Sequence, residues 1–132
     1  MVAAPNAEVE RLASGSYVSL TTFKKDGTGV ATAVWVSHDT SRLFVWTEAG
    51  SGKVKRIRNG ARVLLAPCDS RGGLQGTQIE GTAHIVEDSA DVALIESLHK
   101  KKYGLQFRLF EAFAAVFRRR NGGHVGIEIT VP

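Results

Sequence analysis

The densest group of residues able to do chemistry is Ser51-Gly52-Lys53-Val54-Lys55-Arg56-Ile57-Arg58-Asn59-Gly60, set directly after an apolar strand pattern. The spacing predicts a short helix whose first turn carries Lys53 and Lys55. Unpaired N–H groups give a helix N-terminus partial positive charge, so lysines there cost roughly a few tenths of a kcal/mol each unless an anion joins them. Ser51 offers a cap or a hydroxyl, Gly52 lets backbone approach a ligand closely, and the lysines are point charges suited to a phosphate. The same run also reads as a solvated basic helix.

Other reactive side chains are scattered. His38 falls in a turn beside Asp39, His84 on the polar face of a strand, His99 next to a lysine run and His124 at the start of the last strand. None sits in a nucleophile motif, and no catalytic side chain is assigned. Cys68 ends an apolar strand and reads as a small buried hydrophobe. No set of His, Cys and carboxylates has metal-ligand spacing, so no metal is expected. Gly27, Gly29, Gly50 and Gly52 form neither a dinucleotide fingerprint nor a Walker loop.

The elements that must position these groups belong to one domain of 132 residues. Residues 1–14 read as a peripheral segment with one short helix starting at Pro5-Asn6, and 15–132 as a single cofactor-binding domain. A large pocket would consume much of so small a core, which favours a site shared across a dimer interface. The net charge of +4 concentrates at 53–62, 100–102 and 118–120 and points to an anionic small molecule. Nucleic acid is not expected, because zinc spacing, a basic heptad helix and an aromatic recognition strand are all missing. The single cysteine, the lack of an apolar leader in 1–14 and the lack of an eighteen-residue apolar run set the expectation of a cytoplasmic protein that does not span a membrane.

Period-two patterns predict strands at 17–23, 30–36, 43–47, 63–68, 78–86 and 125–131. Asp26-Gly27 marks a hairpin turn, and the first three strands read as a meander. Both faces of 30–36 are mostly apolar, so that strand reads as buried on both sides. Small residues on the inner face of 78–86, Gly81 and Ala83, suggest a tight barrel wall. A helix capped by Asp88-Ser89 and closed by Gly104 carries Val92, Leu94, Ile95 and Leu98. A second helical pattern places Leu109, Phe113, Val116 and Phe117 together, with Arg118 to Arg120 at its C-terminal end. The sum is a mainly β fold: a small six-stranded antiparallel barrel with flanking helices.

The segments Tyr17-Val-Ser-Leu-Thr-Thr-Phe-Lys-Lys-Asp-Gly-Thr, Val30-Ala-Thr-Ala-Val-Trp-Val, Leu43-Phe-Val-Trp-Thr and Ser51-Gly-Lys-Val-Lys-Arg-Ile-Arg-Asn follow one another in an order and spacing that resembles the pyridoxamine 5′-phosphate oxidase-like split β-barrel flavoproteins. More narrowly, the chain resembles the actinobacterial branch of coenzyme F420-dependent oxidoreductases. The resemblance spans residues 15–131 and is densest over 17–69. It implies a six-stranded split barrel of the FMN-binding-protein type, a homodimer with cofactor sites at the interface, and hydride transfer between the deazaflavin F420 and a small organic substrate. By position it assigns Thr47, Ser51 and Lys53 to the cofactor phosphate, with Gly52, Lys55 and Arg56 beside them, and Thr32, Ala33, Val34 and Trp35 to the ring. The alternatives are an FMN-dependent oxidase or reductase, a non-catalytic F420 or flavin storage protein, and a tetrapyrrole binder using His84 or His124. The basic residues that contact phosphate from the second strand in the vitamin-forming oxidases have no counterpart in Val30 to Val36, which argues against synthesis of pyridoxal phosphate.

Overall fold

The computed structural model describes residues 6–109 and 123–132. A helix α1 (Ala7–Ala13) begins at Asn6, whose side-chain oxygen accepts hydrogen bonds from the Glu8 and Val9 amides. It buries Val9 and Leu12 completely, so this part of the segment read as peripheral packs into the core. Strands β1 (Tyr17–Phe23) and β2 (Gly29–Val34) form a hairpin about Asp26-Gly27, where the Thr28 amide donates to Asp26 and Gly27 takes a left-handed φ of 90°.

The chain continues through β3 (Ser37–His38), β4 (Arg42–Glu48), helix α2 (Gly52–Asn59), β5 (Arg62–Cys68), β6 (Ile79–Val86), helix α3 (Ser89–Tyr103) and β7 (His124–Thr130). One seven-stranded antiparallel sheet results, in the order β2-β1-β5-β6-β7-β4-β3. The seventh strand is β3, a two-residue piece paired with Leu43 and Phe44 in a segment expected to be a turn. The expected meander is not formed: β4 pairs with β7, from Arg42 opposite Thr130 to Glu48 opposite His124, and leaves β2 unpaired on its far side.

Consequently β2 is an edge strand, and the expectation of burial on both faces fails. Gly29 and Ala31 are exposed and Val30, Thr32 and Ala33 half-buried. Only Trp35 and Val36 separate one edge of the sheet from the other, so the sheet must curl until its edges approach. Its interior holds Val18, Leu20, Leu43, Val45, Val63, Leu65, Ala83, Ile127 and Ile129. At Gly81 an added Cβ would come within 3.0 Å of both Leu65 and the Thr130 carbonyl, which accounts for the small residues of β6.

Helix α3 is capped by Asp88, which accepts from the Asp91 amide, and ends at Gly104 with φ 55°. Its buried stripe is Ile95, His99 and Tyr103, while Leu94 is exposed. Helical backbone resumes over 105–109, where Phe107 is buried and Leu109 exposed. Phe113, Val116, Phe117 and Arg118 to Arg120 lie outside the described residues. Among the described residues no helix is long and apolar enough to cross a membrane.

Candidate functional site

The seam between the sheet edges opens into a cavity of about 370 Å³. Thr32, Ala33, Val34 and Trp35 reach it from β2 and the crossover, Thr47 from β4 and Lys53 from α2, so six residues expected at a site do share one cavity. Tyr17, Val45, Trp46 and His99 complete its lining, and of these Tyr17, Val45 and His99 were not expected there. A smaller cavity of about 200 Å³ adjoins it through Trp46, Thr47 and Lys53 and adds Glu48, Ser51 and His124.

At the α2 corner the strand β4 delivers Thr47 and the helix start delivers Ser51 and Lys53. Ser51 is the N-cap by backbone conformation, yet its side chain caps nothing. Its hydroxyl oxygen is buried and has no hydrogen-bond partner among the described residues. Lys53 likewise forms no hydrogen bond or ion pair among the described residues. Burial pushes its amine below the ordinary lysine range, Arg56 adds to this and Glu48 opposes it. An unpartnered hydroxyl and an unpartnered amine at a helix N-terminus are of a chemistry that suits an anion.

The remaining helix residues divide by face. Arg56 donates from Nε to Thr22 Oγ1 at 2.6 Å, and its guanidinium folds over Gly52, where an added Cβ would meet Nη1 at 2.7 Å. Gly52 therefore makes room for Arg56, a use different from the close ligand approach expected of it. Lys55 is exposed and lines neither cavity, and the exposed Arg58 pairs with Glu87. The unpartnered Ser51 and Lys53 thus lie on one face of α2 and the solvated Lys55 and Arg58 on another.

Aromatic rings form the other wall. Trp35 stacks on Tyr103 at 4.5 Å between centroids and 11° between planes, Phe107 packs against Trp35 and Trp46, and Trp46 stacks on His124 at 3.7 Å and 2°. Helix α3 clasps the crossover behind this wall. The Tyr103 hydroxyl accepts from the Val36 amide at 2.9 Å and faces the Ser16 carbonyl at 2.7 Å and the Val36 carbonyl at 3.1 Å as possible acceptors for its own hydrogen. Burial pushes its ionisation up to about 12. The Lys102 amine donates to the Ala13 and Val36 carbonyls at 2.9 and 2.8 Å, and burial lowers its pKa. His99 is 1% exposed, and its pKa falls to about 4 because burial outweighs the Ile95 and Trp35 carbonyls that favour the charged ring.

A sequence signal for this clasp existed, because Ile95, His99 and Tyr103 recur every four residues on one helix face. Two of the three are polar, and the apolar pattern drew the face toward Leu94 instead. His84 stands exposed on β6 and lines neither cavity. No group of three metal-ligating side chains occurs among the described residues.

An apolar slot with aromatic walls, ending at an open cation and hydroxyl, suits a planar ring that bears a phosphate. Comparison with solved structures gives the same fold. A conserved hypothetical protein of Mycobacterium tuberculosis superposes with a TM-score of 0.69 at 21% identity, covering 99% of this chain and 82% of that one. The heme storage protein of Vibrio cholerae gives 0.67 at 10% identity over 98% and 92%. A protein described as an F420 reductase gives 0.56 at 19% identity over 96% and 94%. No match was found among curated protein sequences. The family model described as pyridoxamine 5′-phosphate oxidase matches residues 5–131, and with its curled antiparallel sheet and flanking helices the chain belongs to that family.

Proposed function

We propose that this protein is a cytoplasmic, homodimeric oxidoreductase that binds coenzyme F420 and transfers a hydride between the deazaflavin and a small organic substrate. The observation that carries the reading is the pair of unpartnered polar groups, Ser51 Oγ and Lys53 Nζ, at the end of an aromatic cavity. A phosphate gives both a partner, with the Thr47 hydroxyl beside them. The ring lies against Thr32, Ala33, Val34 and Trp35. When bound, the deazaflavin supplies the two-electron chemistry, and the protein orients it and excludes water.

The choice of F420 over FMN is supported by the net charge of +4, which suits an anionic oligoglutamate tail, and by the uncharged β2 strand. A fold neighbour described as an F420 reductase is consistent with it. The homodimer reading draws on the half-exposed apolar edge of β2, which a second copy would cover while lining the same cavity.

Fluorescence titration of the purified, ligand-free protein with F420 and with FMN tests the proposal. Binding of F420 at about micromolar or tighter, with FMN weaker, is expected. Preference for FMN would transfer the protein to flavin chemistry, and binding of neither would remove the cofactor reading. Substrate-dependent oxidation of the reduced cofactor separates an enzyme from a storage protein.

A further inference from the structure

A second cavity, of about 450 Å³, lies where β1 begins and β5 ends, and the proposed function makes no use of it. Tyr17, Pro67 and Cys68 supply apolar lining, and Arg11, Gln75 and Thr77 polar lining. Tyr17 is the one residue among those described that also lines the aromatic cavity.

Its wall is fixed by local bonds. After Cys68 the chain turns at Asp69, whose carboxylate accepts from the Arg71 and Gly73 amides at 2.9 and 2.8 Å. It then doubles back: Leu74 bridges to Cys68, and the Gln75 amide donates to the Pro67 carbonyl at 2.8 Å. Gly76 is thereby brought against Pro67 and Arg11, where an added Cβ would lie 3.2 Å from Pro67 Cγ and 3.4 Å from Arg11 Nη1.

Arg11 is the charged group of this lining. Its Nε and Nη2 donate to Glu8 Oε2 at 3.1 and 2.6 Å. Nη1 has no acceptor among the described residues, and the side chain is 32% exposed, so a ligand can reach it. Gln75 and Thr77 are exposed, and their side chains form no hydrogen bond among the described residues. No acidic side chain lines the cavity, and burial, with the Asp69 charge, holds the Cys68 thiol above its ordinary range and therefore uncharged. A guanidinium nitrogen with its N–H bonds free, beside apolar lining, suits a carboxylate on a flat carbon skeleton.

We propose that this cavity binds a small planar organic carboxylate, its carboxylate on Arg11 Nη1 and its skeleton against Tyr17, and that such an acid is the substrate of the oxidoreductase. The substrate role rests on the proposed function, because Tyr17 borders both this cavity and the one read as the ring site. The binding site itself does not rest on it.

The probes are trans-cinnamate and its neutral amide, in calorimetric titrations of the whole ligand-free protein. Wild type should bind cinnamate at about millimolar or tighter and the amide about fivefold more weakly. Arg11→Gln should weaken cinnamate about tenfold and abolish the preference over the amide. Glu8→Gln breaks the same ion pair but keeps the guanidinium, and should bind cinnamate as wild type does or about twofold tighter. No cinnamate binding, equal affinity of wild type for acid and amide, weakening shared by both variants, or a loss in Lys53→Met in place of Arg11→Gln overturns the site.

Ring protons of bound cinnamate should show nuclear Overhauser contacts to the Tyr17 ring, and their absence at saturation overturns the substrate role. Titrations with F420 and FMN keep the two readings apart. Cofactor binding without cinnamate binding overturns this inference and leaves the proposed function standing. Cinnamate binding through Arg11 without binding of either cofactor leaves the carboxylate site and removes its substrate role together with the cofactor reading.

Discussion

Lys53 on α2 and Lys102 on α3 are both lysines whose pKa burial lowers, and they border different cavities. Lys102 has two carbonyl partners, and the Tyr103 hydroxyl next to it bonds the Val36 amide and a carbonyl. Lys53 has no hydrogen-bonded partner among the described residues, and the Ser51 hydroxyl near it is equally open. Lys102 is a desolvated cation whose hydrogen bonds tie the fold together, whereas Lys53 is one that the proposed function provides with a ligand. Burial alone does not separate the two; hydrogen-bond accounting does.

The satisfied side should fail first when cut. Tyr103→Ala removes the Trp35 stack and the crossover bonds together and should cost about 3–5 kcal/mol of stability in urea unfolding. A loss under about 1 kcal/mol would show that the clasp is not structural.

Acid should reach the same helix through His99. Its native pKa of about 4 lies below the ordinary 6.5, so the unfolded chain takes up the proton first. Stability should be at its plateau above pH 6.5, decline as pH falls toward 4 and level off below, by roughly 3 kcal/mol in all. Urea midpoints across that range should show the decline in wild type and lack it in His99→Leu.

Exchanging the two lysines for methionine sharpens the contrast. Lys53→Met should weaken F420 binding by about 1–3 kcal/mol and leave stability unchanged or raised. Lys102→Met should do the reverse, costing about 1–2 kcal/mol of stability with cofactor affinity unchanged. Parallel titration and unfolding of both variants settles it, and equal behaviour would erase the distinction. The smallest effect belongs to Gly52→Ala. Improved helix propensity should offset the displacement of the flexible Arg56 tip, leaving stability within about 1 kcal/mol of wild type.

Local features were legible in the sequence. Asp26-Gly27 gave the β1–β2 turn, Asp88 and Gly104 bounded α3, and Gly81 with Ala83 announced a crowded wall, because each depends on residues a few positions apart. The corner of Thr47, Ser51 and Lys53 was legible for the same reason, since strand end and helix start are contiguous. Pairing of β4 with β7 was not, as its partners lie some eighty residues along the chain and no local pattern encodes them. That error placed β2 in the middle of the sheet. The buried place of His99 was not legible, because a histidine reads as polar until its partners are known.

The crossover of Trp35 and Val36 also acts as a leash. Three Cα steps separate Val34 from Ser37, so the ends of the two edge strands can never part by more than ~11 Å. Prying the barrel open at this end is covalently forbidden, and a long ligand must thread along the seam rather than spread it. Lengthening the leash by a few residues would be the direct route to a version of this protein that admits a bulkier ring.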